Sequence, residues 1–127
     1  MNAISEIKEE LKKYPSLKFI VEDNTISITP ENGFTVWLTE YENQWTVGYK
    51  GWHEEFEDQE SALKCLFFGL SSTCRLKVFK RGNMEYKWTM EAEENGQWVS
   101  YSTTCLLFIP FWRRRSIIYL SNNVMST

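Results

Sequence analysis

The chain has 127 residues, 43% of them hydrophobic, with a formal net charge of −3 and three cysteines. That length buries a core without cross-links, so residues 1–127 are expected to form a single α+β domain. The acidic balance argues against a general polyanion binder and leaves room for a local basic patch. An odd cysteine count without paired spacing favours a reducing compartment. No apolar signal core opens the chain, and its longest apolar run, from Cys105 to Trp112, is broken by Pro110. That run is far short of a bilayer span, so cytoplasmic residence is the expectation.

Residues 2–14 predict an amphipathic helix: Ala3, Ile4, Ile7, Leu11 and Tyr14 share one face, and Pro15 stops it. Strands over 17–22 and 25–29, turning at Asp23-Asn24, would pair Val21 with Ile26 and Phe19 with Ile28. A hairpin follows from Phe34 to Tyr49. A two-residue loop at Glu42-Asn43 pairs Leu38 with Val47 and Val36 with Tyr49. Phe34, Val36, Leu38, Val47 and Tyr49 then face inward, while Thr35, Trp37, Thr39 and Tyr41 face outward. Residues 51–55, which contain the one histidine, His53, read as a loop. Asp58 caps a second helix running to Leu70, with Ala62, Leu63, Leu66, Phe67 and Leu70 on its apolar stripe.

A strand over 73–80 and a three-residue loop at Arg81-Gly82-Asn83 would set Leu76 opposite Trp88 and Val78 opposite Tyr86. This leaves Arg75, Lys77 and Phe79 outward. Asn95-Gly96 suits a type I′ turn, because both central positions need positive φ. With Glu94 facing Gln97, an inner face collects Tyr86, Trp88, Met90, Ala92, Val99, Tyr101 and Cys105, and Trp98 stands outward among polar residues. Residues 117–120 could add a last strand, and 122–127 read as a frayed end.

These elements make an α+β fold: an antiparallel sheet of six to eight strands with two helices packed on one face. The order α-β-β-β-β / α-β-β-β suggests a pseudo-repeat with halves 1–51 and 57–121, since 34–49 can be laid beside 85–101 with one insertion. In size, charge and element order the chain resembles the small acidic secretion chaperones and some toxin-immunity proteins, with no motif in common.

Catalytic chemistry finds little support. His53 lies among carboxylates without a second imidazole to share a metal. Cys65, Cys74 and Cys105 fall on a helix flank and on strands, where buried thiols are structural. The glycines are isolated, so no phosphate loop is formed, and Glu91, Glu93 and Glu94 read as a solvated hairpin tip. No catalytic, cofactor or metal site is expected, and an enzyme centred on His53 is the least favoured reading.

Binding is better supported. Trp37, Tyr41, Phe79 and Trp98 place aromatic rings on outward strand positions. Trp112, Arg113, Arg114 and Arg115 combine the residue types that most often carry interface energy, and guanidiniums suit carboxylates, phosphates or anionic lipid. The expectation is a non-catalytic cytosolic protein-binding module, inhibitor- or immunity-like or chaperone-like, with a protein partner or a second copy of itself. Single-stranded nucleic acid is the alternative for the same residues, disfavoured by the acidic balance.

Overall fold

The computed structural model of the chain describes residues 2–125. Helix α1 (Ala3–Leu11) starts at Asn2, whose side-chain oxygen accepts from the Ser5 backbone N–H at 2.8 Å, and it buries Ala3, Ile7 and Leu11. Five strands follow as a meander: β1 (Lys18–Glu22), β2 (Thr25–Thr29), β3 (Val36–Tyr41), β4 (Gln44–Tyr49) and β5 (Trp52–Phe56). Val21 pairs with Ile26, Leu38 with Val47 and Val36 with Tyr49, as the turn chemistry predicts. Glu42 and Asn43 both take positive φ, the requirement of a two-residue type I′ turn. β1 is nonetheless exposed along its whole length, because it lies at the sheet edge and α1 covers β3 instead.

β5 occupies the stretch expected to be a loop. Its first residue, Trp52, is fully buried and faces Tyr49, while His53, Glu54 and Glu55 are exposed and hide the strand alternation. Helix α2 (Gln59–Gly69) is capped by Asp58, which accepts from Ser61 N–H at 2.8 Å. It lies across β3, β4 and β5 and buries Ala62 and Leu66, with Leu70 following at its end. Beneath it Tyr49 stacks on Trp52 with ring centroids 4.5 Å apart, and Phe34 tilts against Tyr49.

The second sheet contains β6 (Cys74–Arg81), β7 (Met84–Glu94), β8 (Gln97–Cys105) and β9 (Arg115–Leu120), in the order β8-β7-β6-β9. The α+β class with antiparallel pairing is as expected, but the described strands number nine and divide into sheets of five and four. The division follows from the crossover: α2 carries the chain away from β5, so β6 begins a new sheet. The two sheets meet through side chains. His53 N–H donates to Thr104 Oγ1 at 3.1 Å, and Lys50 Nζ lies 2.8 Å from Glu85 Oε2. Burial raises the Glu85 carboxyl, but hydrogen bonds from Lys50 and Trp88 outweigh it and hold the group below its ordinary range.

Three local expectations are corrected. The β6–β7 turn uses two residues, Gly82-Asn83, and a bulge between Phe79 and Lys80 then sets Val78 against Trp88 and Leu76 against Met90. The displacement at Leu76 and Val78 is two residues, so both keep the inward face, but the bulge skips Tyr86. Glu85, expected outward, turns to Lys50 and Trp88, and Tyr86, expected inward, packs against Phe79 and Arg81. In the β7–β8 hairpin the register is as predicted from Glu94↔Gln97 to Ala92↔Val99. A bulge beyond Glu91↔Ser100 then skips Tyr101 and sets Met90 against Ser102 and Trp88 against Thr104. Tyr101 and Cys105 are consequently exposed, where an inward position was expected. Residues 122–125 are not frayed. Asn122 is buried, accepts from Phe34 N–H at 2.8 Å and donates to the Gly69 carbonyl at 2.9 Å, while Val124 and Met125 donate to Leu70 O. The rest of that expected frayed end, residues 126–127, lies outside the described residues.

Candidate interaction surface

Alternation along β6 sends Leu76 and Val78 to the core and Arg75, Lys77 and Phe79 to the opposite face. Pairing brings β9 alongside with Tyr119 beside Lys77 and Ile117 beside Phe79. On the other side β7 places Glu91 beside Arg75 and Lys87 beside Phe79. Register therefore interleaves cations and rings across the outer face of the second sheet.

The guanidinium of Arg75 is the centre of this row. Its Nε donates to Glu91 Oε1 at 2.6 Å, and Ser100 Oγ donates to the other Glu91 oxygen at 3.0 Å. With the buried carboxylate fixing it in place, the guanidinium carbon lies 4.5 Å from the Trp98 ring centroid and 4.2 Å from that of Tyr119. Lys77 Nζ stands 5.9 Å from the Tyr119 centroid and 5.0 Å from that of Phe79. Lys87 Nζ at 4.5 Å and Arg115 at 5.5 Å complete a ring of cations around Phe79. Phe79 is only 5% exposed despite its outward direction, with the charged ends of Lys77, Lys87 and Arg115 over its ring and the Tyr86 ring 6.3 Å away. Among the described residues Lys77, Lys87, Arg81 and Arg115 form no ion pair with a carboxylate, whereas Arg75 does.

From β8 the chain crosses to β9 through residues 106–114, passing the Gly82-Asn83 turn. Gly82 N–H donates to Arg114 O at 2.8 Å and Arg113 N–H donates to Pro110 O at 3.0 Å. Phe108 and Phe111 each meet the Trp112 ring edge-on, at 6.2 and 5.4 Å between centroids. Leu107 is fully exposed, and Arg113, Arg114 and Arg115 are exposed without a carboxylate partner among the described residues.

Of the residues expected to bind a partner, Phe79, Trp98 and Arg115 share one sheet face, and Trp112, Arg113 and Arg114 lie in the adjoining loop. Trp37 and Tyr41 belong to the other sheet. The Trp37 ring lies over Gly48, where an added Cβ would come within 1.9 Å of it, and its Nε1 donates to Lys50 O at 3.0 Å. Tyr41 is exposed beside the β3–β4 turn. Arg75, Lys77, Lys87 and Tyr119 were absent from the expected set. The Arg-x-Lys-x-Phe alternation at 75–79 marks three of the outward positions, but the arrival of Tyr119 depends on how β9 pairs.

The groups suited to catalysis are scattered. The His53 imidazole is exposed, with Nδ1 3.3 Å from the Gly51 carbonyl oxygen. Burial pushes the Cys65 thiol up to about 12 and raises Cys74 as well. Tyr49 donates its hydroxyl to the Cys65 carbonyl and is itself raised, chiefly by burial. Among the described residues no group of three or more His, Cys, Asp or Glu side chains could hold a metal ion, and no helix is long and apolar enough to cross a membrane. Comparison with protein-family models, curated proteins and solved structures finds no match.

Proposed function

We propose that the chain is a non-catalytic recognition module that binds an acidic protein surface through the outer face of the β8-β7-β6-β9 sheet. The observation that carries this reading is the row Trp98–Arg75–Tyr119–Lys77–Phe79, in which cations alternate with rings and, among the described residues, only Arg75 has a carboxylate partner. A cation resting on a ring is held in position without being neutralised. Carboxylates of a partner can then meet Lys77, Lys87 and Arg115 at a small further cost in side-chain entropy. An excess of cations on one face of an acidic chain also orients the approach of that partner. An inhibitor, an immunity protein or a chaperone could work in this way. The unpaired thiols fit a reducing compartment, the cytoplasm.

Single-stranded nucleic acid is the weaker reading of the same face. Base stacking needs open rings, but Phe79 is buried under cations, and Trp98 and Tyr119 each already carry a guanidinium. An enzyme centred on His53 is weaker still, because the imidazole has neither an orienting carboxylate nor a neighbouring nucleophile within hydrogen-bond distance among the described residues.

Affinity capture from a nuclease-treated extract of the source organism tests the proposal, with a Lys77→Glu/Lys87→Glu/Arg115→Glu variant in parallel. A discrete acidic protein retained by the wild type and lost from the variant is the expected result. Retention by both forms, or recovery only of nucleic acid when nuclease is omitted, would reject it.

A further inference from the structure

Residues 106–114 have a composition and a shape that the sheet face does not use. Leu107 is fully exposed, Phe111 is 76% exposed and Trp112 64%, so large apolar groups project into water where a folded domain ordinarily hides them. Pro110, which is buried, and the bonds from Gly82 and Arg81 to the carbonyls of Arg114 and Arg113 fix the base of the loop. Three arginines without carboxylate partners among the described residues follow at once. At the loop base Arg81, Asn83, Met84, Pro110, Trp112 and Arg113 line a cleft, and Arg81 Nε is buried there with no hydrogen-bond partner among the described residues.

We propose that the 106–114 loop anchors the protein to an anionic phospholipid bilayer, with Leu107, Phe108 and Phe111 entering the acyl boundary and Arg81, Arg113 and Arg114 meeting lipid phosphates. Each part has a physical reason. A projecting apolar tip gains from a fluid hydrocarbon layer without needing a matching pocket. Trp112 stands between that tip and the arginines, at the headgroup level where its amphipathic ring is most stable. Guanidiniums are attracted to the negative surface of such a membrane and bind phosphate by paired donors. The Arg81 guanidinium, lining the cleft beside Trp112 and Arg113, adds positive charge at the same level.

Other occupants fit less well. A symmetric dimer built on this loop would set two Arg113–Arg115 clusters against each other. Nucleic acid would meet the arginines but leave Leu106 and Leu107, which cannot stack on bases, in water.

Flotation with vesicles tests the inference, using phosphatidylcholine alone and phosphatidylcholine mixed with phosphatidylglycerol. The full chain is compared with a Leu107→Ser/Phe111→Ser variant and an Arg113→Ala/Arg114→Ala variant, each checked for an unchanged thermal midpoint. The wild type should float with the anionic vesicles only. Loss of two arginines should weaken partitioning on the order of thirtyfold, and the serine variant should weaken it at least as much. Inorganic phosphate at millimolar concentration should not release the protein from vesicles. Failure to float, equal floating on neutral vesicles, partitioning that survives both variants, or release by phosphate would each overturn the anchor. So would a wild-type dimer in sedimentation that becomes monomeric in the serine variant. The sheet-face residues Lys77 and Lys87 are untouched in these variants, so protein capture and membrane attachment stand or fall separately.

Discussion

The Arg75 guanidinium lies 4.5 Å from the centroid of the Trp98 ring while its Nε holds Glu91 at 2.6 Å. β6 supplies the cation, β7 the carboxylate and β8 the ring, so one contact locks three strands in register. Glu91 is buried and Arg75 mostly so, which makes the carboxylate costly to remove. Glu91→Ala should destabilise the fold by about 3 kcal/mol, the cost of leaving a largely buried charge unpaired. Urea unfolding reads this. A loss below roughly 0.5 kcal/mol would place the pair among surface ion pairs.

Trp88 and Trp98 lie on opposite faces of the same hairpin. Trp88 is 7% exposed and closes over Gly51, where an added Cβ would come within 2.4 Å of the ring. Trp88→Ala should cost about 3–5 kcal/mol as a large cavity opens. Trp98→Ala, whose ring is partly exposed, should cost much less. Equal unfolding midpoints for the two variants would refute the assignment of faces.

Asn122 joins the loop before β3 to the end of α2 by accepting from Phe34 N–H and donating to Gly69 O. Asn122→Ala would leave both backbone groups buried and unpaired, at a cost of about 2–4 kcal/mol. Hydrogen exchange at Phe34 should accelerate in that variant. Unchanged exchange there would mean that water substitutes for the side chain without loss.

The thiols should separate by burial. Cys105 is exposed, while burial holds the Cys65 proton up to about 12. A disulfide reagent at neutral pH should modify one thiol in the native protein and three after denaturation. The same shift gives a pH dependence. Above the ordinary thiol value of 9.0 the unfolded chain releases the Cys65 proton and the folded chain keeps it. Stability contributed in this way is present below that pH and falls as pH rises towards about 12. Cys65→Ala should flatten the alkaline loss, and an unchanged slope would contradict this origin.

What could be read in advance was local. Asn43 and Asn95-Gly96 announce positive φ, and a two-residue loop then aligns Leu38 with Val47 without help from the rest of the chain. Asp58 announces a helix start in the same way. The bulge at Tyr101 was not legible, because it rests on Glu91 being buried against Arg75 and Ser100, a contact between strands. β5 was hidden for a related reason: three exposed residues in succession suppress the alternation that Trp52 begins. The outward direction of Arg75, Lys77 and Phe79 followed from parity along one strand. That the three form a row with Tyr119 follows from β9 returning to the far edge of β6, which no short-range signal specifies.

Lysine footprinting of the captured complex tests the central claim most directly. The protein is acetylated alone and with its captured partner, and modification is read residue by residue by mass spectrometry. Lys12 and Lys13 on the C-terminal side of α1 and Lys64 on α2 are exposed internal controls. Binding through the outer sheet face predicts strong protection of Lys77 and Lys87 with the three controls unchanged. Unprotected Lys77 and Lys87 in a complex that stays intact would place the partner elsewhere and contradict the account.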